Sequence, residues 1–162
     1  MRVSLLMLVL MLCAVDVQAS DDLFIGTWAL DTQASRYAAG EMPRSMLIVM
    51  AQAPEGISYR SVSTLLDGRS ATAEYLADYQ GNLAMVVGDA GMLVPVSVRR
   101  IDPYTVEATY IRGFKPVAVS RRVVSLDGSV MTITTHSPDQ PSPGLANVGV
   151  YVRVAAPPGP NP

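Results

Sequence analysis

Phe24-Ile25-Gly26-Thr27-Trp28-Ala29-Leu30 holds the only tryptophan of the 162-residue chain, and its reading decides the fold. Side chains of a strand alternate between faces, so Phe24, Gly26, Trp28 and Leu30 share one face and Ile25, Thr27 and Ala29 the other. The first face is made for burial. A glycine two places before the indole predicts that another backbone or ring lies close against it. The rest of the chain must wrap that face.

Toward the N-terminus, Met1-Arg2, an apolar run over 5–15 and the small or polar residues Val17-Gln18-Ala19-Ser20 have the order of a secretory leader. It is too short to span a bilayer. The expectation is a signal peptide over 1–19, cleaved after Ala19, and a soluble secreted or periplasmic product. Cys13 follows Leu12 inside the apolar run, without the small residue that precedes a lipid-anchored cysteine. Removing the leader removes the only thiol, so the exported chain must be stable without a disulfide. About 140 residues remain, enough for one domain over 20–154. The proline-rich stretch 155–162 predicts a disordered or extended tail.

Toward the C-terminus, short apolar or alternating runs are punctuated by turn residues. Strands are predicted over 45–53, 57–64, 70–79, 83–87, 93–100, 105–112, 117–126, 130–135 and 146–154. Asp67-Gly68 and Asp127-Gly128 favour tight hairpins, because strand twist demands positive φ there. Gln80-Gly81-Asn82, Gly88-Asp89-Ala90-Gly91, Asp102-Pro103 and Gly113-Phe114-Lys115-Pro116 supply further turns. The segment 31–37 predicts a short helical turn capped by Asp31 or Thr32. The longest connection runs from His136 to Leu145. About ten strands without an amphipathic helix make the class all-β, and short connections favour an antiparallel up-and-down barrel of about 8 to 10 strands. Closure also removes edges that would otherwise aggregate.

With these elements in place, the chain resembles a lipocalin-like family of small secreted bacterial proteins whose function is largely unassigned. The residues that carry the resemblance are the run 24–31 followed by Ser35-Arg36-Tyr37, the runs 100–110 and 120–128, Met131-Thr132-Ile133-Thr134, and Val150-Tyr151-Val152-Arg153. The resemblance implies a lipocalin-like β-barrel. In lipocalins a Gly-x-Trp strand closes one end of the barrel and its indole packs on an arginine near the last strand. Gly26-Thr27-Trp28 matches that start, which implies a closure role for Trp28 and Arg153.

Twelve basic and fourteen acidic residues give a net charge of −2 without a run of one sign, which argues against nucleic acid or an anionic membrane as partner. His136 is the only histidine and is expected to be an exposed loop residue. Without a second histidine or a cysteine, neither a zinc site nor a cysteine-histidine nucleophile is expected, and no cofactor is implied. Asp78, Asp89 and Glu107 are scattered, while Asp67, Asp102 and Asp127 are explained by turns. A hydrolase is therefore the weakest reading.

The arginine pairs are more informative. Neighbouring strand residues point to opposite faces, so one of Arg99-Arg100 and one of Arg121-Arg122 should face inward. Arg100 shares its face with Val94, Val96 and Val98. Near Tyr110 or Tyr151 it would grip a ligand carboxylate, or else lie at the rim in an ordinary salt bridge. Six methionines outside the leader, Met46, Met50, Met85 and Met131 among them, offer adaptable packing or an adaptable lining. The expectation is a barrel binding a small apolar or amphipathic molecule, with Arg100, Tyr110 and Tyr151 as ligand-binding residues. The alternative is a ligand-free structural or interaction module of the cell envelope.

Overall fold

A computed structural model describes residues 22–38, 41–89, 94–139 and 146–156; the leader and most of the tail lie outside these. Ten strands follow one another: β1 (Gly26–Arg36), β2 (Ser45–Ala53), β3 (Gly56–Thr64), β4 (Ser70–Ala77), β5 (Gln80–Gly88), β6 (Val94–Asp102), β7 (Thr105–Arg112), β8 (Lys115–Val124), β9 (Val130–His136) and β10 (Asn147–Val154). Each pairs antiparallel with its neighbours in sequence, and β10 closes on β1, so the sheet is an up-and-down barrel of ten strands. The inward positions of each strand supply one core that includes Phe24, Trp28, Ile48, Met50, Val96, Val98, Val124 and Met131.

Local chemistry explains where the sequence reading and the structure part. The segment 31–37 is not a helical turn. It continues β1 through a bulge, since Asp31 pairs with Val150 but the next partners are Arg36 and Val148. The Asp31 carboxylate does accept from the amides of Gln33 and Ala34, yet Ser35 Oγ takes the Val150 amide at 2.9 Å and keeps the segment in the sheet. The corner before β5 also moves. Gln80, Gly81 and Asn82 lie inside the strand, and the chain turns at Asp78-Tyr79, where Tyr79 adopts φ 62° and Asp78 accepts from the Gln80 amide and the Asn82 side chain. His136 is the last residue of β9, paired with Val119 and half-buried, rather than an exposed loop residue. The turn expected at 88–91 lies partly outside the described residues.

One barrel end is stoppered by residues 22–25. Phe24 is buried there, and the Trp28 Nε1 donates to its carbonyl at 3.0 Å. Between β4 and β5 the wall is thin: only Ala73↔Gly88 and Glu74↔Val87 pair, whereas β3 and β4 pair along their whole lengths.

Candidate functional site

Three arginines point toward aromatic rings inside or at the end of the barrel, and their partners separate scaffold from site. Arg153, on β10, lies 4.1 Å over the Trp28 ring. Its guanidinium donates to the carbonyls of Gly128, Ile25 and Leu23, each at 2.6 Å, so it ties the stopper to the β8–β9 turn. What lies close against Gly26 is this guanidinium rather than a backbone or a ring. A Cβ at Gly26, whose φ is +144°, would occupy the space of the Arg153 Nη1.

Arg100 also belongs to the stopper. Its Nη2 contacts Asp22 Oδ2 at 2.5 Å, and the guanidinium lies 4.1 Å from the Tyr79 ring centroid. A protein acid therefore stands where the sequence reading left room for a ligand carboxylate. Across the sheet Arg100 pairs with Val106 and Tyr110 with Val96, which places the two at separate levels of one face. The rim salt bridge is the arrangement present, with Asp22 as its acid.

Arg122 is the inward member of its pair, while Arg121 is exposed. It falls on the face of Ser120 and Val124 on β8, and only 4% of its surface is exposed. Nη1 donates to the Tyr75 hydroxyl at 2.6 Å and Nη2 to the Tyr110 hydroxyl at 3.3 Å. The guanidinium carbon lies 4.7 Å from the Tyr59 ring centroid, and Tyr59 stacks on Tyr75 at 4.7 Å. Nε is buried and has no hydrogen-bond partner, and among the described residues no carboxylate lies within ion-pair distance of Arg122. Arginine keeps its charge even when buried. The cage thus encloses a cation whose protein partners are neutral.

Tyr59 and Tyr75 are held neutral. Burial pushes the Tyr59 hydroxyl up to about 12 against the opposing pull of Arg122, and burial raises Tyr75 as well. Tyr151 is buried; its hydroxyl lies 3.4 Å from that of Tyr37 and 3.2 Å from Met46 Sδ. Of the residues singled out from the sequence, the structure brings Tyr110 to the Arg122 cage, places Tyr151 elsewhere in the interior, and puts Arg100 in the stopper. Sequence reasoning missed Tyr59 and Tyr75, which reach Arg122 from β3 and β4. The signal for Arg122 was the adjacent arginine pair on a strand. Among the described residues no cluster of metal-ligating side chains occurs.

Chemically, a planar cation with a vacant donor and flanking hydroxyls suits an oxyanion such as a carboxylate. No family model matches the chain, and no curated protein does. Among solved structures, the chain is similar to a fatty acid binding protein of Schistosoma mansoni in complex with arachidonic acid, with a TM-score of 0.57 and 14% identity over 85% of this chain and all of that one. That similarity establishes the closed barrel as a known architecture.

Proposed function

We propose that this barrel binds a small amphipathic anion, with its acidic head at Arg122 and its apolar part against the barrel's aliphatic and aromatic side chains. The observation that carries the reading is the buried guanidinium of Arg122 with an unpartnered Nε and only tyrosine hydroxyls on its other nitrogens. A buried charge without a counter-ion is costly, and a bound carboxylate supplies one. The fatty acid complex of the similar barrel supports the same ligand class. The leader-like N-terminus adds that the protein works outside the cytoplasm, as a secreted or periplasmic lipocalin-like carrier.

A second reading, a filled barrel serving as a structural module, is favoured by the complete burial of Trp28, Ile48, Val96, Val98 and Met131. Titration with 11-(dansylamino)undecanoic acid and with its methyl ester separates the two. The carrier reading expects saturable binding of the acid, at least tenfold tighter than the ester. Equal affinity removes the anion from the reading, and no saturable binding of either leaves the filled barrel.

A further inference from the structure

The thin wall between β4 and β5 brings exposed apolar side chains together. Past Glu74↔Val87 the strands no longer pair, although on that register Leu76 stands across from Met85. Both point outward, and so do Leu83 and Val87. These four are among the exposed large apolar residues, Leu76 at 66% and Leu83 at 67%. Exposed leucines scattered singly need no explanation, but four along one seam form a patch of the kind that marks a binding surface.

The patch is concave. A cleft of about 560 Å³ is lined by Leu76, Met85 and Val87 with the charged Arg60 and Glu74 beside them, and by Tyr59 and Tyr75, the two rings that contact Arg122. A second cleft of about 510 Å³ shares Leu76 and continues along the seam past Leu83 and Ala84. Volumes of about 300 to 1,000 Å³ are typical of small-molecule sites. The interior beside the cage is occupied by fully buried side chains such as Val96, Val98 and Met131.

Resting on the carrier reading, we propose that the apolar chain of the ligand lies in this lateral seam, over Leu76, Met85 and Val87, while its acidic head passes between β4 and β5 to Arg122. The ligand class is a single-chain amphiphile with one anionic head. The seam gives the chain a bed of Leu76, Met85 and Val87, flanked by Arg60 and Glu74, without displacing the buried interior. Leu76 and Met85 then act as binding residues although they face away from the barrel axis.

The test uses that orientation. Leu76→Glu and Met85→Glu change outward, exposed side chains and are compared with Leu126→Glu, an exposed apolar position at the β8–β9 turn. With 11-(dansylamino)undecanoic acid as probe, the seam variants are expected to bind at least tenfold more weakly than the wild type, with unchanged melting temperatures, and Leu126→Glu to bind as the wild type does. Unchanged affinity in both seam variants, alongside loss of binding in Arg122→Met, overturns the seam and keeps the carrier reading with the chain inside the barrel. Weakened binding in the seam variants with full binding in Arg122→Met overturns the route to Arg122 and the anionic anchor. A wild type that binds no probe overturns both.

Discussion

The stopper and the cage use the same device, a guanidinium laid on aromatic rings, and end in opposite states. Arg153 has three carbonyl acceptors and the Trp28 face, and Arg100 has Asp22, Phe24 and Tyr79. Arg122 is the most deeply buried of the three, yet it has two hydroxyls and a vacant Nε. The guanidiniums of Arg100 and Arg153 have an acid or several carbonyls from the protein itself, which marks them as scaffold, although the Tyr79 hydroxyl beside Arg100 is buried without a hydrogen-bond partner. A buried cation with spare capacity marks the place proposed for a ligand, because the protein bears its desolvation without a complete return.

The stopper is most sensitive at its indole. Trp28→Ala should cost about 3–5 kcal/mol, the range for a buried aromatic, and leave a chain that folds poorly or melts far lower. A melting temperature within a few degrees of the wild type would show that Trp28 is not central to the closed end.

The cage responds to alkali. Tyr59 and Tyr75 hold their protons more tightly than in the unfolded chain, where the hydroxyl titrates near 10, while Tyr59 in the fold titrates at about 12. Between those values the unfolded chain has lost the proton and the fold retains it, so stability is full below pH 10 and falls as pH climbs through the folded value. Tyr59 alone accounts for about 2–3 kcal/mol of that loss. Denaturant midpoints measured from pH 9 to 12 should fall above pH 10, while tyrosinate absorbance rises. A flat midpoint up to pH 12 would place these rings in water.

Smaller changes sharpen the contrast among the arginines. Arg153→Met should destabilise by about 1–3 kcal/mol, since three carbonyls lose a charged donor and the indole loses its cover. Asp22→Asn should cost about 1 kcal/mol, the scale of a partly exposed ion pair, with a dependence on salt that the substitution removes. Chemical denaturation of the two variants beside the wild type measures both, and equal stability across the set would deny the stopper its polar contribution.

Much of the barrel was legible because its rules are local. The turns at Asp67-Gly68 and Asp127-Gly128 have glycines at φ 87° and 70°, as the hairpin pattern requires. Alternation grouped Val96 and Val98 with Arg100 on one face, and both valines are fully buried. The bulge after Asp31 was hidden because the same Asx chemistry caps a helix or a bulge, and only pairing with β10 decides which. The left-handed Tyr79 was hidden because a tyrosine rarely takes that conformation, so the nearby Gly81 drew the turn. The adjacent arginines 121 and 122 announced one inward cation. Its partners did not follow, because Tyr75 lies 47 positions away in sequence and reaches Arg122 only through closure of the sheet. The seam was equally nonlocal: nothing within 70–88 states that pairing ceases past Glu74.

On the proposed function, Arg122 is present for a ligand rather than for the fold. Replacing a buried charge by an apolar side chain of similar length is commonly neutral or stabilising, whereas a scaffold cation is missed. The direct measurement is therefore one pair of readings on Arg122→Met: its melting temperature and its affinity for 11-(dansylamino)undecanoic acid. The account predicts a melting temperature equal to or above that of the wild type, with affinity for the acid reduced at least tenfold. A variant that melts far lower yet binds the acid as tightly as the wild type would contradict it.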